Sequence, residues 1–199
     1  MTELNYDQTF EKVVDGGVIA YGIVLGNEKI VFIKTGADGN ILGYQDKYPK
    51  MAHRVHQRLG TTVICASNPD AEYAAQEVAD KAMIAKVAAD SGFADYDIYF
   101  VGTSDGGYQN LRLAQQMPQA RKILGINTSL IDADDLAAHL KKLSYVEKVL
   151  VYGTKDEAFH CIPILQAAGC ENLEIITVEG ANHEFTDMVN EFIALIDLL

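Results

Sequence analysis

The sequence predicts an α/β fold: a mostly parallel sheet with helices on both faces, opened by an antiparallel N-terminal hairpin. Two observations carry this. Strand-like apolar runs alternate with helix-like runs along nearly the whole chain, the order that builds a parallel sheet. The opening departs from that order, because two apolar runs are separated only by Gly26-Asn27-Glu28. A joint that short is expected to permit only an antiparallel hairpin. The 199 residues are 49% apolar and 22% charged, enough for one domain, residues 1–199, with a sizeable core.

The elements follow in order. Val18 to Leu25 and Lys29 to Lys34 are the two hairpin strands, and the run from Phe10 to Val14 offers a strand before them. The loop Thr35 to Asn40 leads towards a helix near Tyr48 to Leu59. Thr61 to Ala66 is the next strand. Asn68-Pro69-Asp70 starts a long helix reaching Ser91-Gly92, on which Ala71, Ala75, Val78, Ala82, Ala85 and Ala89 form one stripe. Small residues there predict close packing on the sheet rather than a coiled coil.

Tyr96 to Val101 reads as a strand, followed by a helix that ends at Met117-Pro118. Lys122 to Asn127 is a strand and Asp135 to Leu143 a short helix. Val149 to Gly153 is a strand, Thr154 to Glu157 a loop, and Ile162 to Ala168 a helix. Leu173 to Val178 is the last strand, Gly180 to Phe185 a loop, and Asp187 to Leu199 the closing helix.

Composition excludes several functions. A formal net charge of −12 opposes nucleic acid and anionic membranes as partners, since both need basic surface. No stretch reaches the length of a membrane span. The N-terminal segment Met1 to Asp7 is acidic and lacks the apolar core of a secretory signal. The cysteines, Cys65, Cys161 and Cys170, are odd in number, which predicts reduced thiols and a cytoplasmic location. Cys65 belongs to an apolar run and reads as core. Cys161 follows His160, but neighbours in sequence do not face each other on a helix. His53 and His56 sit one helical turn apart without an evident third ligand, so no metal site is expected. No cofactor is expected.

The run Gly102-Thr103-Ser104-Asp105-Gly106 carries the chemistry. It has G-x-S-x-G spacing between a strand and a helix. A serine on such a turn takes strained backbone angles, and glycines two residues before and after it admit the chain segments that pass close by. A serine hydroxyl is a weak nucleophile at neutral pH. It needs a base, and the base needs an orienting partner. In open parallel sheets, sites gather at the carboxyl ends of the strands. Titratable residues in that position are Asp156, after the penultimate strand, and His183, after the last. Asp132 competes with Asp156 as the acid. Asp132 reads more simply as a turn or cap residue, and Asp156 has its own plain reading as a helix cap before Ala158.

With the early hairpin, the elbow at Ser104, the acid loop Gly153 to Asp156 and the histidine loop Gly180 to His183, the sequence resembles the α/β-hydrolase fold family over about its whole length. The resemblance implies an acyl-enzyme mechanism in which Ser104 attacks a carbonyl, His183 shuttles the proton and Asp156 holds the imidazole. It also implies two backbone N–H donors for the oxyanion: that of Asp105 and, by position, that of Ala37. The family often carries His-Gly where this chain has Thr35-Gly36, and Gly36 and Gly39 have the simpler reading of serving the turn.

Asp38 and Asp105 are expected to border the pocket and to disfavour an anionic acyl group. Their plain reading is solvent exposure or local backbone bonding. Tyr108 and Phe185 are candidate pocket walls, with core packing as the competing reading. Many relatives insert a lid between the strand ending near Asn127 and the one starting near Val149, where this chain has room for one short helix. The expectation is therefore an open site and a small-molecule ester or thioester substrate. The same triad would serve an acyltransferase, and the fold would also serve a non-catalytic ligand-binding protein.

Overall fold

The computed structural model describes residues 5–128 and 132–199. Residues Met1 to Leu4 of the acidic N-terminal segment, and 129–131 after the strand that ends near Asn127, lie outside the described part. The strands are β1 (Gln8–Val14), β2 (Gly17–Val24), β3 (Asn27–Lys34), β4 (Thr61–Ala66), β5 (Asp97–Thr103), β6 (Ala120–Ile126), β7 (Glu147–Gly153) and β8 (Leu173–Val178). The helices are α1 (Lys47–Leu59), α2 (Tyr73–Asp90), α3 (Asp105–Ala114), α4 (Ala133–Lys142), α5 (Ile162–Ala167) and α6 (Val189–Ala194). All strands join one sheet in the order β1-β2-β4-β3-β5-β6-β7-β8. From β4 onward every pairing is parallel, as the alternation predicts.

The N-terminal hairpin is present, but its strands differ from those expected. β1 pairs with β2, with Gln8 opposite Ile23 and Val14 opposite Gly17. β2 and β3 do not pair, because β4 lies between them, antiparallel to β2 and parallel to β3. The short joint permits this geometry. Crossing one intervening strand requires about 9.6 Å, two strand spacings. The Cα steps from Val24 to Asn27 supply up to about 11 Å. The joint runs over the start of β4: the Asn27 N–H donates to the Gly60 carbonyl at 2.7 Å. A Cβ on Gly26 would lie 2.3 Å from that same carbonyl oxygen, so the crossing requires glycine there.

Side chains alternate across the sheet with the strand period of two. On β3, Ile30 and Phe32 enter one core layer and Val31 and Ile33 the other. The first layer is closed by α2, α3, α4 and α5 through residues such as Ile84, Leu111, Leu136 and Leu165. The second is closed by α1 and α6 through Met51, Val55 and Phe192.

On α2 the expected stripe faces outward. Val78 is 71% exposed, and Ala82, Ala85 and Ala89 are exposed too. The buried face is Gln76, Glu77, Ala79, Asp80, Met83, Ile84, Val87 and Ala88. Alanine fits either face of a helix, so its spacing does not choose between them. The choice falls to the bulkier apolar groups and to partners for the polar ones. Asp80 accepts from Lys34 Nζ at 2.9 Å and from the Tyr21 hydroxyl at 2.8 Å. Those bonds offset the burial of its carboxylate. Among the described residues no helix is long and apolar enough to cross a membrane.

Candidate active site

β5 delivers Ser104 to the sheet's carboxyl edge, where the chain turns into α3 with φ 54° and ψ −127° at the serine. A positive φ is costly for a residue with a side chain and persists only where its surroundings enforce it. Here the enforcement comes from close packing. A Cβ on Gly102 would stand 2.4 Å from the Gly107 Cα, and one on Gly106 would stand 2.2 Å from the Thr35 carbonyl oxygen. Both flanking glycines are therefore required by backbone contact.

The loops after β7 and β8 bring two more groups to this point. His183 Nε2 lies 2.9 Å from Ser104 Oγ, and His183 Nδ1 lies 2.6 Å from Asp156 Oδ2. The Asp156 side chain is fully buried, whereas that of His183 is 42% exposed. A carboxylate facing Nδ1 makes that nitrogen the N–H donor and leaves Nε2 free to accept the serine proton. Asp156 Oδ1 accepts the Ala158 N–H at 2.5 Å. The cap reading and the acid reading of Asp156 are thus compatible, one for each oxygen. Asp132 caps α4, with Oδ1 accepting the Asp134 N–H at 2.9 Å.

Asn127, in the sequence only the end of a strand, has a further role in the structure. It sits just past β6 with φ 46° and is fully buried. Its Nδ2 donates to the carbonyls of His183 at 2.9 Å and Asn182 at 3.1 Å, and its Oδ1 accepts the Gly153 N–H at 2.8 Å. One side chain thereby ties β6 to the end of β7 and to the loop that carries His183. Its position after a strand at the carboxyl edge was the available signal.

The loop after β3 lies against Ser104: a Cβ on Gly36 would be 3.4 Å from Ser104 Cβ. Among the described residues, neither the Ala37 N–H nor the Asp105 N–H donates to a protein acceptor. Asp105 opens α3, where backbone N–H groups lack intrahelical partners. Gly39 does serve the turn, its N–H donating to the Gly36 carbonyl at 2.9 Å.

The remaining expectations divide. Asp38 is exposed and lines the hollow beside Ser104. Asp105 does not offer its carboxylate to that hollow. It accepts from Asn68 Nδ2 at 2.9 Å, from Gln109 Nε2 at 2.7 Å and from the Tyr73 hydroxyl at 2.5 Å. Burial and this bond hold the Tyr73 phenol in its protonated form, well above its ordinary range. Tyr108 points elsewhere, its hydroxyl donating to Asp135 at 2.5 Å. Phe185 is fully buried and packs edge-on against Phe192, so it is core rather than pocket wall. His53 and His56 each engage a backbone carbonyl, of Asn5 and Thr61. The His160 ring is hydrogen-bonded to the Glu157 carbonyl, and the Cys161 thiol is buried, with its pKa raised by desolvation.

The hollow at Ser104 and His183 has a volume of about 450 Å³ and is also lined by Gly36, Tyr44, Lys47 and Tyr48. Lys47 was not anticipated. It is 4% exposed, and burial lowers its pKa, an effect partly opposed by Glu184. The described connection between β6 and β7 contains one helix, α4.

No family model matches the chain, and no curated protein matches its sequence. Solved structures do match its fold. An α/β serine hydrolase homologue from Coxiella burnetii is 16% identical with a TM-score of 0.73, covering 98% of this chain and 98% of that one. Est1E from Butyrivibrio proteoclasticus is 13% identical with a TM-score of 0.73, covering 96% of each chain. An α/β serine hydrolase without lid from Xanthomonas campestris is 14% identical with a TM-score of 0.68, covering 96% of this chain and 93% of that one. Likenesses at such identities establish the fold.

Proposed function

We propose that this chain, which has the α/β-hydrolase fold, is a serine hydrolase cleaving a carboxylic ester or thioester of a small, accessible substrate. The observation that carries the reading is the continuous hydrogen-bonded line Ser104–His183–Asp156, running from a half-buried serine at the edge of the hollow to a buried carboxylate. Ser104 Oγ adds to the carbonyl carbon while its proton passes to His183 Nε2. Asp156 stabilises the imidazolium formed and keeps its orientation. The negative charge that develops on the carbonyl oxygen is met by the open N–H groups of Ala37 and Asp105. Collapse of the tetrahedral intermediate breaks the bond to the leaving alcohol or thiol, which takes the proton from His183. Water then repeats the sequence on the acyl-enzyme and releases the acid.

A cytoplasmic location is part of the same proposal, and the odd number of cysteines, Cys65, Cys161 and Cys170, supports it. The test is covalent labelling with a fluorophosphonate, alongside turnover of short aryl esters. The wild-type protein should label at one residue and hydrolyse the esters, and Ser104→Ala should do neither while keeping its circular dichroism spectrum. Ester turnover by Ser104→Ala close to wild type would overturn the reading. Product analysis with a competing alcohol separates hydrolysis from acyl transfer.

A further inference from the structure

Lys47 is placed where a lysine is hard to account for by stability. It is the first residue of α1, at the positive end of the helix dipole, where carboxylates are favoured and cations are not. Its side chain is 5% exposed. Among the described residues its ammonium donates no hydrogen bond within normal range. Its partners are the Glu184 carboxylate at 3.9 Å and the rings of Phe192 and Tyr48, whose centroids are 4.3 Å and 5.4 Å away. Glu184 is 70% exposed, so that ion pair is screened and weak. An ammonium carries three N–H donors, and burying a cation with so few acceptors is costly. The side chain lines the same hollow as Ser104. A molecule held there for reaction can therefore also complete the lysine's coordination.

The charges around this hollow favour such an occupant more than the sequence suggested. Of the two carboxylates expected to repel an anion, that of Asp105 is consumed by Asn68, Gln109 and Tyr73. Asp38 remains, and Glu184, which the sequence did not single out, also lines the hollow; both are exposed to water.

We infer that Lys47 forms a subsite for a carboxylate carried by the substrate, so that the chain acts on half-esters or half-thioesters of short dicarboxylic acids. The catalytic half of this inference rests on the hydrolase reading above, and the binding half does not. A hydrogen-bonded charge is worth about 10- to 100-fold in affinity, which sets the expected effect.

Two measurements test it. In the first, kcat/KM is compared for monoethyl glutarate, the neutral ethyl ester of glutaramic acid and a matched quaternary-ammonium ester, at low salt. Wild type should favour the half-ester over the neutral ester by about 10-fold or more, and Lys47→Met should bring that ratio near unity, mainly through KM. In the second, calorimetry follows monoethyl glutarate binding to Ser104→Ala, with and without Lys47→Met. Binding should weaken about 10-fold when the lysine is lost. Equal use of the half-ester and the neutral ester by wild type would overturn the subsite while leaving the hydrolase reading intact. That comparison also decides the matter should Lys47→Met fail to fold. Absence of both turnover and fluorophosphonate labelling, with Lys47-dependent binding retained, would overturn the hydrolase reading and leave the subsite standing. Binding insensitive to Lys47→Met would sink the subsite in either case.

Discussion

Asn127 holds His183 by the backbone: its side-chain amide donates to the His183 carbonyl at 2.9 Å, from a left-handed conformation at φ 46°. The base of the proposed mechanism is thus fixed at its main chain by Asn127 and at its ring by Asp156. Asn127→Gly preserves the backbone angle and removes the amide. It should lower kcat by about 100-fold with little change in KM, because the imidazole loses its register with Ser104. Steady-state kinetics checks this, and an effect confined to KM would contradict it.

The two candidate acids separate by substitution. Asp156→Asn should cut kcat by roughly 10³ to 10⁴, since the imidazole loses its preferred tautomer. Asp132→Asn should affect only the cap of α4, a stability change of about 1 kcal/mol or less. Turnover assays on both variants decide the point, and a larger catalytic loss at Asp132 would reassign the acid.

The outward face of α2 makes a stability prediction. Val78→Lys should shift stability by no more than about 0.5 kcal/mol, as that side chain is already exposed. Ile84→Ala on the buried face should cost about 2–5 kcal/mol. Urea titration of both variants measures this directly.

Removing one partner of the buried pair Lys34–Asp80 should be severe. Asp80→Ala leaves an ammonium buried without its carboxylate and should cost about 3–5 kcal/mol. The double variant Lys34→Met, Asp80→Leu should be considerably less damaging than the sum of its parts. Denaturation of the four-member cycle tests it.

The open hollow predicts how substrate is reached. With α4 the one described helix between β6 and β7, rates on short esters should follow simple saturation, with no jump where a long-chain substrate forms micelles. Rate measurements across the micellar concentration provide the check.

The strands of the sheet's parallel half were legible because each run of apolar residues ended in a turn and a helix followed. The elbow was legible because its glycines answer a local steric demand. What escaped the sequence were relations between distant segments. Nothing in Gly26-Asn27-Glu28 tells that β4, beginning at Thr61, will slide between the strands on either side. Alanines on α2 gave a spacing without the bulk that chooses a face. Asp105 sits beside Ser104 in sequence, yet its carboxylate is claimed by Asn68 and Tyr73 from distant segments and by Gln109 one turn along its own helix. Lys47 drew no notice because the start of a helix is an ordinary place for a polar residue, and only its burial marks it out.

The crossing of the Leu25–Gly26 joint over β4 also imposes a timetable on synthesis. In a chain released only up to about Gly60, β4 is missing, so the backbone N–H and C=O groups with which β2 and β3 bind it in the folded protein have no partner. Such raw edges invite pairing with other chains. Emergence of Thr61–Ala66 closes both at once, with β4 parallel to one neighbour and antiparallel to the other. A nascent chain stalled before Thr61 should therefore be far more prone to aggregate than one stalled after Ala66, although the two differ by only a few residues.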